Sequence, residues 1–190
     1  MTNIAIFVSG NGTNCENIIR HFDGSPDIHV KLVLSNRTDA YALVRATSLG
    51  IPTVVMDKTT FRDEQSLTGM MERHDIDFIV LAGFLLMIPP FLITRYPRRI
   101  INIHPALLPK YGGKGMYGHH VHEAVKANGE TETGITIHYV SEVCDGGEIV
   151  FQARTDVLPE DSPEDIAAKV GRLEQQHYPL VIEKTIRQCF

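Results

Sequence analysis

Ile4-Ala5-Ile6-Phe7-Val8-Ser9-Gly10-Asn11-Gly12-Thr13-Asn14 is the stretch that decides the fold. Its first five residues form an unbroken apolar run, the pattern of a strand buried on both faces of a parallel sheet. Glycines then turn the chain, and residues 16–22 carry a short helical pattern. The alternation continues downstream. Residues 30–34, 52–56, 78–82 and 100–103 read as strands, and residues 39–49, 62–74 and 90–96 as helices. Gly50 and Pro52 close the 39–49 helix, and Leu67, Met70 and Met71 form the apolar side of the 62–74 helix. This order predicts an α/β fold with a mostly parallel sheet flanked by helices. Ligands of such sheets bind outside the carboxyl ends of the strands, at a topological switch point.

The second half changes character. Residues 119–126 read as a helix stopped by Asn128-Gly129. Residues 135–140 and 149–157 read as a late antiparallel strand pair, separated by a loop that holds Asp145-Gly146-Gly147. Ser162-Pro163-Glu164-Asp165 opens the longest helix, with Ser as N-cap, Pro at the first helical position and acids in the first turn. Pro179 is expected to kink or end it. No repeat or linker interrupts the chain, so residues 1–190 are expected to form one domain.

Composition narrows the partners. Of 190 residues 43% are hydrophobic, enough for a sizeable core. A formal charge of −5, from 18 basic and 23 acidic residues with no basic block, argues against nucleic acid as the main partner. Cys15, Cys144 and Cys189 are widely spaced and odd in number, in no disulfide or metal pattern, which fits a reducing compartment. The N-terminus lacks a signal peptide's basic region, and no apolar run is long enough to span a bilayer. A cytoplasmic protein without membrane contact, monomer or homodimer, is expected.

Several motifs carry chemistry. In Asn102-Ile103-His104-Pro105 the Asn and His stand at i and i+2, on one face of a strand that Pro105 ends. A carboxamide donor beside an imidazole suits the polarising of a carbonyl, and a strand that merely ends in polar residues fits as well. Gly10-Asn11-Gly12-Thr13-Asn14 fits an anion site at a helix N-terminus, or a bare tight turn. It is neither a dinucleotide fingerprint nor a Walker loop. Asp145 either sits in a simple turn or orients His104 and raises its pKa, and the sequence leaves open whether the two touch. His119, His120 and His122 are poorly spaced for zinc. Residues 110–118 are Gly-rich with little to hold them, and suit a lid. Residues 83–88 extend a strand with apolar side chains that can carry a flat ring or simply fill core.

Together these pieces resemble the phosphoribosylglycinamide formyltransferases, folate-dependent enzymes of purine synthesis. The resemblance covers essentially the whole chain. It is carried by residues 9–14, Leu81-Ala82-Gly83-Phe84, residues 102–109, Asp145-Gly146-Gly147 and Glu174. It implies a Rossmann-like formyltransferase fold, with a phosphate-binding part at 1–104 and a folate-side and C-terminal helix part at 105–190. It implies 10-formyltetrahydrofolate as co-substrate, glycinamide ribonucleotide as acceptor, and no metal. Asn102, His104 and Asp145 would be catalytic: His104 the general acid and electrophile, Asn102 the oxyanion donor, Asp145 the group that orients His104 and keeps it protonated. Gly12, Thr13 and Asn14 would hold the phosphate, and Glu174 with Arg172 would face the rest of the ribonucleotide. Leu85, Leu86, Met87, Ile88, Ser141, Val143 and the Asn102 side chain would line the folate pocket, with Arg62 near the folate.

Some members have Arg where this chain has Leu86, so only the backbone is available to bind there. Residues 112–119 are longer than in some members. Three other readings use the same fold. A formyltetrahydrofolate deformylase is expected to carry an N-terminal regulatory domain, for which a first strand starting at Ile4 leaves no room. Amino-sugar formyltransferases fit the glycine turn less well. A non-catalytic nucleotide-binding regulatory module would show a degraded trio, whereas all three residues are present.

Overall fold

The apolar run forms β1 (Thr2–Val8), and its residues 4–8 have no exposed surface. The computed structural model describes residues 1–190. Beside β1 lie β2 (Ile28–Ser35) and β3 (Thr53–Val55) on one side, and β4 (Phe78–Leu81) and β5 (Ile100–His104) on the other, all parallel. Next come β6 (Glu132–Tyr139), antiparallel to β5, and β7 (Ile149–Asp156), antiparallel to β6. The sheet order is β3-β2-β1-β4-β5-β6-β7, so the switch point lies between β1 and β4.

The two faces are covered unequally. One is buried along its length by α1 (Thr13–Phe22), α2 (Tyr41–Ser48), α6 (His119–Ala127) and α7 (Pro163–Cys189), over a core that reaches from Ile4 and Ile6 to Ile135 and Ile137. The other carries α3 (Lys58–Arg62), α4 (Glu64–Arg73) and α5 (Pro90–Arg95), over a smaller core that stops at Ile100. Asn102 and His104 share Ile100's face by strand alternation, and Thr136, His138 and Gln152 stand opposite them on the ladder. This row of polar side chains lies where the helical layer ends.

One sequence expectation is corrected and a second is narrowed. Residues 62–74 form part of two helices, because Asp57 and Asp63 each accept a backbone N–H (from Thr60 and Ser66, both at 2.8 Å) and so start separate helices. Pro179 does not end α7, which continues to Cys189. The Gln175 carbonyl that the missing N–H leaves free accepts instead from Asn17 Nδ2 at 2.8 Å, which docks α7 on α1. No helix is long and apolar enough to cross a membrane.

Tyr178, one residue before that proline, is fully buried and donates its hydroxyl to the Leu81 carbonyl at 2.8 Å, with the Ile101 carbonyl at 3.4 Å. It ties α7 to the carboxyl end of β4 and to the start of β5. Tyr178→Phe is expected to lower stability by about 1–2 kcal/mol, because a buried carbonyl loses its partner. Urea unfolding checks this, with an earlier midpoint at unchanged slope.

Candidate active site

β5 places Asn102 and His104 at the sheet's carboxyl edge, and β6 completes the arrangement. His104 pairs in register with Thr136, and Asn102 with His138. The Thr136 hydroxyl donates to the Ala106 carbonyl (2.7 Å) and accepts from the Leu108 N–H (3.0 Å) and from Gln152 Nε2 (2.8 Å). It thereby fixes the turn that follows Pro105. That turn brings the Tyr111 carbonyl to His104 Nε2 at 2.7 Å. A carbonyl only accepts, so Nε2 carries the proton, and Nδ1 is left facing Asp145 Oδ2 at 3.6 Å, beyond hydrogen-bond length.

Asp145 reaches this point because its loop folds back across the sheet face. The loop leaves β6 beside Ile100, where the Val140 N–H meets the Ile100 carbonyl. Asp145 itself has φ +53°, and Gly147 lies so close to β6 that a Cβ there would sit 1.7 Å from the Tyr139 oxygen. The carboxylate accepts the Gly113 N–H at 2.9 Å. The Gly-rich segment is therefore tied at Tyr111 and at Gly113, contrary to the expectation that little holds it.

His138 and Tyr111 are site residues that the sequence reading missed. His138 Nδ1–H donates to the Tyr139 carbonyl at 2.9 Å, and its Nε2 lies 3.2 Å from Asn102 Nδ2 and 3.6 Å from Asp145 Oδ1. An amide nitrogen only donates, so His138 orients the Asn102 carboxamide and leaves its second N–H free. The available signal was Thr136-Ile137-His138, the same i, i+2 polar spacing as Asn102 and His104.

Burial, at 4% exposure, lowers the His104 pKa more than Asp145 and the Tyr111 carbonyl raise it. This corrects the expectation that Asp145 keeps the free imidazole protonated. Burial pushes the Asp145 carboxyl up, but hydrogen bonding, the Gly113 N–H included, outweighs it and holds the group below the usual carboxylate range. At neutral pH the site pairs a neutral imidazole with a carboxylate and a fixed amide donor.

Residues 2–182 match the sequence profile of the formyl transferase family. The chain belongs to that family. It is 41% identical over 189 residues to the phosphoribosylglycinamide formyltransferase of Haemophilus influenzae, covering 96% of this chain and 86% of that one. The crystal structure of the Bacillus halodurans phosphoribosylglycinamide formyltransferase matches with TM-score 0.88 at 32% identity, over 100% of this chain and 97% of that one. The Coxiella burnetii enzyme of the same name, solved in complex with CHES, matches with TM-score 0.85 at 39% identity, over 95% of this chain and 85% of that one.

In this formyltransferase the remaining sequence-selected residues divide into two groups. Gly12 caps α1 with φ +79° and no side-chain cap, so the N–H groups of Thr13 and Asn14 stay open at the helix start. A Cβ at Gly12 would sit 2.4 Å from that of Ala42, which enforces glycine there. Asn14 Nδ2 donates to Glu174 at 2.9 Å, and burial raises the Glu174 pKa more than this bond lowers it. Arg172 is exposed, two residues along α7 and so on another face from Glu174. β1 and β5 are two strands apart, so the turn and His104 are separated by roughly 10 Å across the sheet.

On the other side, Leu85, Met87 and Val143 are 50%, 49% and 67% exposed, apolar side chains on the segments that follow β4 and β6. Leu86 is partly buried and packs against the smaller core, and Ile88 is buried in it. The Ser141 hydroxyl bonds to the Val143 backbone and shapes the loop. Arg62 is exposed at the end of α3. The Ser9 hydroxyl accepts the Leu85 N–H at 2.9 Å, joining the glycine turn to the segment that follows β4.

His119 and His120 are exposed and face Glu123, and no three His, Cys, Asp or Glu side chains are grouped to hold a metal ion. His122 is 6% exposed, and burial, with His119 and His104 nearby, lowers its pKa from 6.5 to about 4. Burial thus favours the neutral form of both His104 and His122 in the folded protein, and below about pH 6.5 both take up protons on unfolding. Their contribution is complete above about pH 6.5 and is lost as pH falls toward 4, so stability drops with acidification. Urea unfolding at about pH 7.5 and about pH 5 is expected to show this drop, and His122→Asn is expected to shrink it.

Proposed function

We propose that this chain transfers the formyl group of 10-formyltetrahydrofolate to the amine of glycinamide ribonucleotide, the reaction for which its relatives are named. The observation that carries the proposal is the cluster of buried His104 with half-buried Asp145 and Asn102, two strands from an open helix N-terminus. In this reading the 1–104 part binds phosphate and the 105–190 part completes the folate side. Thr13 and Asn14, at the Gly12 turn, hold the phosphate, and Glu174 faces the rest of the ribonucleotide. Leu85, Met87 and Val143 form the surface for the flat pterin, and the backbone around Leu86 meets its polar edge.

The residues then act in sequence. Asn102 Nδ2 donates its free N–H to the formyl oxygen as the amine nitrogen bonds to the formyl carbon and negative charge collects on that oxygen. His104 Nδ1, fixed as the bare nitrogen by the Tyr111 carbonyl, takes the proton the amine loses. The new imidazolium lies between Asp145 and the developing oxyanion, and both stabilise it. His104 Nδ1 then gives the proton to the folate nitrogen as its bond to the formyl carbon breaks. His104 thus works as electrophile and general acid, after charging within the cycle.

His104→Ala is expected to lower turnover by ~10²–10⁴ while leaving the fold intact. Asn102→Ala is expected to lose roughly 10²–10³. The deciding assay follows tetrahydrofolate release with and without glycinamide ribonucleotide. The reading expects release to require the ribonucleotide. Equal release without it would make water the acceptor and the chain a deformylase.

A further inference from the structure

Arg45 on α2 has so far had no part in the reaction, yet it holds the glycine turn. Its Nε donates to the Asn11 carbonyl at 2.9 Å, its Nη2 reaches Asn11 Oδ1 at 3.3 Å, and its Nη1 pairs with Glu16. The guanidinium lies 4.9 Å above the Tyr41 ring, and its side chain is 26% exposed. The Ala42 N–H on the same helix donates to the Gly10 carbonyl at 3.1 Å, and Ala42 fills the space beside Gly12. α2 therefore grips the turn at three consecutive residues, and Arg45 is its only charged contact there.

Glu16 gives that contact a second meaning. It stands in the first turn of α1, where an anion bound to the free N–H groups would meet its negative charge. Arg45 and Arg20 both pair with this carboxylate, and together they hold its pKa below the usual range.

We propose that Arg45 is a positioning residue for the ribonucleotide phosphate. Its planar fork fixes the Asn11 peptide so that the turn's N–H groups converge, and its charge neutralises Glu16 beside the anion. Lysine cannot reproduce the fork, and a neutral residue reproduces neither effect. This rests on the reading of the turn as the phosphate site.

The test measures kcat and both KM values, together with competition by inorganic phosphate against the ribonucleotide. Arg45→Ala is expected to raise the ribonucleotide KM by roughly 10- to 100-fold, with the loss falling on that KM rather than on kcat or the folate KM. Arg45→Lys is expected to fall between, and carries the test if the alanine variant does not fold. Glu16→Gln is expected to make inorganic phosphate the tighter competitor, and adding it to Arg45→Ala to recover part of the loss. A ribonucleotide KM that stays put in the Arg45 variants overturns the inference, as does an equal loss in kcat and both KM values. Phosphate inhibition unmoved by Glu16→Gln overturns its charge component. Failure of the functional reading looks different: the unaltered enzyme itself would release folate without needing the ribonucleotide, and phosphate would not compete.

Discussion

The antiparallel register between β5 and β6 is the constraint on which the site depends. It sets Asn102 against His138 and His104 against Thr136, so the two side chains proposed as catalytic each pair in register with a polar residue on the neighbouring strand. A slip of one residue would turn every one of these groups to the other face, into an apolar core. The register holds because Ile101, Ile103, Ile135 and Ile137 must stay in that core. The burial that stabilises one face of the sheet thereby positions the chemistry on the other.

Burial also sets the electrostatic starting point. Burial of the His104 imidazole, at 4% exposure, outweighs the carboxylate 3.6 Å away and lowers its pKa, so at neutral pH the site rests as neutral His104 and ionised Asp145. The Tyr111 carbonyl decides which nitrogen is bare. In the proposed reaction the balance changes as negative charge develops on the formyl oxygen, since the charged imidazole then has two anions to stabilise it. The proposal therefore has one proton exchanged within the cycle, without needing it from solvent.

Much of this was legible in the chain because local patterns carry it. Unbroken apolar runs such as residues 4–8 marked the parallel strands, glycine turns marked the carboxyl edge, and Ser162-Pro163-Glu164-Asp165 marked the start of α7 with its capping box. What escaped depends on pairings far apart in sequence. His138 acquires its role only from the register with Asn102, 36 residues away. Tyr111 acts through its backbone, which no side-chain pattern announces. Pro179 stays helical because Asn17, on another helix, satisfies the carbonyl that the proline strands. Asp145 was found by motif, but its fold-back across the sheet was not, and neither was the dominance of burial over its charge in setting the state of His104.

The most direct measurement is the ¹⁵N chemical shift of the two His104 ring nitrogens in the free protein at neutral pH. A proton on Nε2 and a bare Nδ1 is the expected result, since the Tyr111 carbonyl accepts from one and Asp145 faces the other. An imidazolium at that pH, or a neutral ring with its proton on Nδ1, would contradict the resting state from which the proton transfer is derived.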